Sequence, residues 1–235
     1  MTSHRGKFIT IEGLDGCGKS TQLERLATAL RRQGLDVVTT REPGGTAIGE
    51  KIRAVLLDSR TAALDPGAEL ALMFAARAQH IAEVIRPALD RGKFVLCDRF
   101  TDSSEAYQGG GRELGSEPVL TLHRTLCGGL QPDLTILMDS DVAASVERAR
   151  RRNQQCDGHG QPTGVQSDEN RFESESRAFF ERVRAKYLEI AEREPQRVAV
   201  VNARRQPDPV SEEILGIVRE RVLGHVGKTA TGVQK

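Results

Sequence analysis

The chain has 235 residues, enough for one full-sized core but short for two independent ones, so a single domain running to residue 224 with an insertion is expected. With 34 basic against 33 acidic residues the net charge is +1, which gives no global field for holding nucleic acid or an anionic membrane; anion recognition must be local. Cys17, Cys97, Cys127 and Cys156 are widely spaced with no C-x-x-C pair, which excludes a zinc ribbon or a disulfide framework and suits a reducing cytoplasm.

In chain order, the residues before Phe8 contain no apolar run, and none elsewhere is long enough for a signal peptide or membrane span, so a soluble cytoplasmic protein is expected. The run Phe8 to Ile11 reads as a buried strand, and it leads straight into Gly13-Leu14-Asp15-Gly16-Cys17-Gly18-Lys19-Ser20, followed by Thr21. This is a complete G-x-x-x-x-G-K-[ST] loop between a strand and a helix. Its glycines let successive N–H groups face a polyphosphate, the helix N-terminus adds positive potential, Lys19 supplies a point charge, and the Ser20 hydroxyl suits magnesium. The chain therefore binds a nucleoside triphosphate. Leu23, Leu26, Ala27 and Leu30 continue it as an amphipathic helix.

A second strand is expected from Leu35 to Thr40. It ends in Arg41-Glu42-Pro43-Gly44-Gly45-Thr46, a tight turn opening a helix that carries Arg53 inward beside the phosphate loop. Phe74 and Arg77, three apart on the next helical pattern, offer a ring to stack on and a donor fork, which a nucleobase requires. A helix through Ile81, Val84, Ile85 and Ala88 then precedes a strand from Phe94 to Cys97. At that strand's end stands Asp98-Arg99. A water-activating ATPase usually places Glu after the strand-end Asp; arginine cannot act as a base, but it can neutralise an acceptor phosphate and charge on the transferring oxygens. Transfer to a phosphate is thus favoured over hydrolysis. A guanine-reading Asn-Lys-x-Asp run is missing, which counts against a GTPase switch.

Strands are also expected at Leu134 to Met138 and Val198 to Val201. Between them, Arg148 and Arg150-Arg151-Arg152 precede a polar stretch, Asn153 to Asn170, that cannot bury a face; a mobile lid over about residues 150–171 with a basic hinge is expected, and a helix from Arg171-Phe172 to about Glu194. Cys156 and His159 have no second pair of ligands nearby, so no metal site is expected there. The tail, residues 225–235, is small and polar, hence expected to be disordered. Five strands alternating with helices imply an α/β fold, a parallel sheet covered on both faces, with ligands beyond the carboxyl ends of the strands.

From about Lys7 to Val222, four segments in order resemble the bacterial-type thymidylate kinase family. They are Ile11-Glu12-Gly13-Leu14-Asp15-Gly16-Cys17-Gly18-Lys19-Ser20-Thr21, Arg41-Glu42-Pro43-Gly44-Gly45-Thr46, Asp98-Arg99-Phe100 and Ser103-Ser104-Glu105-Ala106-Tyr107-Gln108-Gly109-Gly110-Gly111-Arg112. The resemblance implies a three-layer P-loop kinase with five parallel strands, transferring the γ-phosphoryl group of ATP to dTMP with magnesium present, in a homodimer. It implies that Lys19 and the loop from Gly13 to Thr21 hold the donor phosphates with Arg148, that Ser20 binds magnesium, and that Asp15 meets the sugar 3′-hydroxyl. Arg99 and Arg53 would grip the acceptor phosphate, with Asp98 beside them, and Arg77 would donate to the thymine edge. Ser104 and Gln108 would line the base and sugar pocket, and Tyr107 would stand against the sugar 2′ carbon, selecting deoxyribose. Lid arginines, Arg150 and Arg152 foremost with Arg148, Arg151 and Arg171 as further candidates, would stabilise transition-state charge. In the family the ring that stacks on thymine precedes the base-reading arginine by four; that place is Met73 here, leaving Phe74 and Met73 as alternatives. Acceptors other than dTMP, and a nucleotide switch without an acceptor, are the competing functions.

Overall fold

A computed structural model describes residues 5–58, 64–156, 171–172 and 175–224, without side chains for 149, 150 and 152–156. All five expected strands form: β1 (Phe8–Glu12), β2 (Val37–Arg41), β3 (Phe94–Asp98), β4 (Leu134–Asp139) and β5 (Val198–Asn202). They lie in the order β2-β3-β1-β4-β5, and every adjacent pair is parallel. Each strand runs one residue further than its apolar run. Arg41 is in register with Asp98, Glu12 with Leu137 and Asp139 with Asn202, so the ladder carries polar end residues that propensity alone would release. The carboxyl edge of the sheet is therefore a row of charged and polar side chains pinned by backbone pairing.

Helices α1 (Lys19–Arg32), α2 (Ala47–Leu57), α3 (Pro66–His80) and α4 (Arg86–Asp90) occupy the first half of the chain. They are followed by α5 (Thr101–Ser104), α6 (Ser116–Cys127), α7 (Val142–Cys156), α8 (Arg177–Arg193) and α9 (Pro207–Val218). Strand residues alternate between two cores. Ile9, Ile11, Leu96, Ile136 and Val201 pack against Leu23, Leu26, Ala27 and Leu30 of α1 and Val210 and Ile214 of α9. On the opposite face, Phe8, Val95 and Cys97 meet Phe74, Ile85 and Val119, while Leu137 and Val198 meet Phe180, Val183 and Tyr187 of α8. The edge strands are covered only in part: Val200 on β5 is 46% exposed.

Three helical segments depart from expectation. The pattern Ile81 to Ala88 contains a π turn, Ile81–Ile85, before α4. Pro87 has no N–H, and its ring would strike the carbonyl four residues back in a regular α-helix; the wider turn removes that clash. Helix α8 begins at Arg177 rather than Arg171, because Ser176 caps it by accepting from the Phe179 N–H at 3.2 Å. Helix α7 continues to Cys156, so the first residues of the expected lid are helical. Residues 157–170 of that lid, with His159, and the tail lie outside the described residues. Cys17, Cys97 and Cys127 are buried free thiols. Among the described residues no helix is long and apolar enough to cross a membrane.

Candidate active site

The phosphate loop joins β1 to α1 at the carboxyl edge. Gly13 has φ +137°, and a Cβ there would stand 2.6 Å from the Met138 carbonyl oxygen, so only glycine fits. Leu14 and Cys17 turn their side chains into the core and present only backbone to the loop. Lys19 is buried, donating from Nζ to the Leu14 carbonyl at 2.9 Å and standing 3.7 Å from Asp15. The cleft is lined by Gly16, Gly18, Lys19, Ser20 and Thr21 on one side and by Arg41, Asp98, Arg99 and Arg148 on the other. The Ser20 hydroxyl donates to Asp98 Oδ2 at 3.1 Å, and Asp98 Oδ1 is buried with no partner among the described residues.

Of the expected lid arginines, Arg148 reaches this cleft, held by a 3.1 Å bond to the Ser140 hydroxyl. Arg151 instead pairs on the surface with Glu147 at 2.6 Å. Arg171 is buried, donating to the Leu56 carbonyl at 2.6 Å and to Glu69 at 2.7 Å. It therefore balances a buried carboxylate and is not among the residues lining this cleft. Arg150 and Arg152 sit on the backbone of α7, and their side chains lie outside the described residues.

A second cavity opens beside the first, lined by Arg53, Met73, Arg77, Ser104, Tyr107, Gln108 and Phe172, with Asp15 and Arg99 on the shared wall. Arg77 is 2% exposed and clamped at three points: Nε to Glu42 at 2.6 Å, and Nη2 to the Phe100 carbonyl at 3.1 Å and the Ser104 hydroxyl at 2.9 Å. His80 holds the other Glu42 oxygen at 2.9 Å. Burial raises the Glu42 pKa, but Arg77 and His80 outweigh it and leave that carboxyl below its ordinary range. Among the described residues Arg77 Nη1 is buried without a partner, as is Gln108 Oε1, whose amide nitrogen donates to Glu69 at 2.7 Å. The cavity thus offers one spare donor and one spare acceptor, and a buried polar atom left unmatched costs about 1–3 kcal/mol until a ligand meets it.

Phe74 does not line this cavity. It is fully buried beneath the Arg77 guanidinium, 4.6 Å from ring centroid to Cζ, so it supports the arginine from behind while Met73 faces the ligand space. Helix rotation explains the exchange: Met73 and Arg77 are four apart and share a face, whereas Phe74 points toward the sheet. Arg53 does reach inward, donating from Nη1 to the Pro43 carbonyl at 3.0 Å and lining both cavities.

Arg99 joins the two cavities. Its backbone is left-handed at φ 71°, costly for a side-chain-bearing residue, and it is held there by neighbours on both sides. Nη2 bonds Asp15 at 2.7 Å and the Tyr107 hydroxyl at 3.1 Å; Nη1 bonds the Ser103 hydroxyl at 3.0 Å and the Tyr187 hydroxyl at 3.2 Å. Burial raises the Asp15 pKa, yet Arg99 and Lys19 more than reverse this and hold the carboxyl well below the usual range. Behind Arg99 lies Glu12, whose pKa burial and the nearby Asp102 push up to about 7.

Glu12, Glu42, Glu69 and Tyr187 carry no expected role in the sequence. Their one signal was an acidic residue closing an apolar strand, as Glu12 does, and contacts such as Glu12 with Tyr187, 175 residues apart, leave no local trace.

Residues 11–214 match the family model described as thymidylate kinase. The chain is 50% identical over 203 residues to a thymidylate kinase of Desulfovibrio desulfuricans, covering 86% of this chain and 90% of that protein. It is 48% identical over 209 residues to a thymidylate kinase of Pseudomonas putida strain GB-1, covering 89% and 93%. The crystal structure of thymidylate kinase from Ehrlichia chaffeensis superimposes with a TM-score of 0.69 at 30% identity, over 91% of this chain and 99% of that one.

Proposed function

The chain belongs to the thymidylate kinase family, and from that premise we propose how its two adjoining cavities divide the reaction between them. The enzyme transfers the γ-phosphoryl group of ATP to dTMP, giving dTDP and ADP. The cleft of the phosphate loop takes ATP, with Lys19, the loop amides and Arg148 on its phosphates; the second cavity takes dTMP. The observation that carries this assignment is Arg99, a single guanidinium on the wall common to both. There it neutralises the acceptor phosphate and the charge that develops on the transferring oxygens, the terms that dominate phosphoryl transfer. Arg53, on the same wall, is the second grip on the acceptor phosphate, and Asp15 is placed for the sugar 3′-hydroxyl.

For the base, Arg77 Nη1 supplies the donor and Gln108 Oε1 the acceptor, matching the O4 acceptor and N3–H donor of thymine, with Met73 packed against the ring and Ser104 fixing the arginine. Tyr107 closes the sugar side. Ser20 and Asp98 are the residues suited to magnesium: the hydroxyl and the carboxylate that line the cleft are hard oxygen donors, and Asp98 Oδ1 has no partner among the described residues. When bound, the ion offsets charge on the donor phosphates. We further propose a cytoplasmic homodimer, for which Ile48 near the start of α2, half exposed, is a candidate contact.

ADP release measured with dTMP, dUMP, UMP, AMP, GMP and shikimate tests the acceptor: dTMP should give the highest kcat/KM. Arg99→Ala should lower kcat by about a hundredfold or more while ATP still binds, the loss of roughly 3 kcal/mol expected for one preorganised charge donor. Unchanged turnover in that variant would remove Arg99 from the reaction.

A further inference from the structure

Glu12 grips Arg99 at both ends. Its Oε1 accepts the Phe100 N–H at 2.7 Å, fixing the peptide that follows the left-handed Arg99 backbone. Its Oε2 accepts from the Ser103 hydroxyl at 2.5 Å and from the Tyr187 hydroxyl at 2.9 Å, and those two oxygens lie 2.8 Å apart. Both are also the acceptors for Arg99 Nη1. All three supporting side chains are nearly or fully buried.

Proton counting gives this arrangement a direction. Each hydroxyl has one proton. A carboxylate Oε2 can take both protons, which turns lone pairs of both oxygens toward the guanidinium. Were Glu12 an amide, the Phe100 N–H would hold its carbonyl oxygen in place and force the NH₂ group onto the two hydroxyls. One hydroxyl proton could then bond the other oxygen, 2.8 Å away, but the second would turn toward Arg99 Nη1, donor against donor.

We propose that Glu12 is a positioning residue for phosphoryl transfer: acting through Ser103 and Tyr187, its carboxylate holds the Arg99 guanidinium against the acceptor phosphate. The inference rests on the reading of Arg99 given above. The groups facing Glu12 set the pH range in which this form acts. Burial and Asp102 on α5, which Arg197 bonds at 2.7 and 2.9 Å, push its pKa up to about 7 against the pull of Arg99, and the Cys97 thiol of β3 is pushed up by burial and stays uncharged, so the carboxylate holds Arg99 above about pH 7, where the test is made.

The test compares equilibrium binding of dTMP and of thymidine, which lacks the phosphate, to wild type, Glu12→Gln, Arg99→Ala and the double variant. Glu12→Gln should weaken dTMP about tenfold and thymidine less than about twofold, with the KM for ATP unchanged, because one charge-assisted contact is lost. Arg99→Ala should show the same selective loss, and adding Glu12→Gln to it should cost nothing more. Equal weakening of both ligands, or of neither, by Glu12→Gln overturns the inference and leaves the Arg99 reading intact. If Arg99→Ala itself fails to separate dTMP from thymidine, both fall together. Should Glu12→Gln not fold, Tyr187→Phe and Ser103→Ala must each show the selective loss of dTMP, and their failure to do so is equally decisive.

Discussion

The ring and the hydroxyl of Tyr107 have different surroundings. Its ring lines the acceptor cavity, and its hydroxyl bonds Arg99 at 3.1 Å and Asp15 at 3.2 Å. Tyr107→Phe should keep the preference for deoxyribose while lowering kcat on dTMP by about ten- to a hundredfold, because a buried charge-assisted bond is worth about 1.5–3 kcal/mol. Tyr107→Ala should also raise kcat/KM on the ribose analogue relative to dTMP. A ratio that stays fixed in the alanine variant would refute the steric role of the ring. Glu12 sets a second expectation through its proton. Its folded pKa is raised from 4.5 to about 7 by burial and by Asp102, so the native state binds a proton that the unfolded chain releases near 4.5. Stability from this group is full below that lower value and is lost as pH rises toward 7. Glu12→Gln removes the loss, so the Tm difference, variant minus wild type, should grow between pH 5 and pH 8; a constant difference would mean that Glu12 does not titrate there.

At the scale of elements, the decisive contact is α8 against the segment carrying Tyr107 and Gln108. That segment leaves α5 as a π turn, Glu105–Gly111, and ends in three glycines. A Cβ at position 111 would stand 2.5 Å from the Phe179 ring, so glycine is what lets α8 close in and deliver Tyr187 to Arg99 and Glu12. Gly111→Ala should destabilise by about 1–3 kcal/mol through overpacking, seen as a lower Tm in thermal denaturation, and should raise the KM for dTMP more than that for ATP. A variant with wild-type Tm would show that the approach has slack. Arg193 reinforces the same junction, donating two hydrogen bonds to the Glu105 carboxylate at 2.7 and 2.8 Å.

For the molecule as a whole, helix α2 bears on the proposed assembly. Ile48 near its start is 50% exposed, a cost that pairing with a second copy would relieve. If the proposed homodimer is built on this face, Ile48→Glu should shift sedimentation equilibrium toward the monomer, since burying an unpaired charge costs several kcal/mol; an unchanged mass would place the contact elsewhere. At this scale the limits of sequence reading are also plain. The phosphate loop, the five strands and the Asp98-Arg99 pair are local patterns: spacing of glycines, apolar runs and the residue after a strand are fixed by neighbours in the chain, and each was legible there. Which side chain faced which cavity was not. One residue of rotation separates Met73 from Phe74, and of the expected arginines Arg148 reaches the cleft while Arg151 pairs on the surface and Arg171 pairs with Glu69. Such choices depend on where helices dock and where buried carboxylates wait. Glu12, Glu42 and Glu69 meet their partners across 35 to 175 residues of chain. The sequence determined the donor cradle because the backbone there makes it alone; the acceptor pocket was decided by tertiary packing, since its polar groups are oriented only by side chains brought in from distant elements.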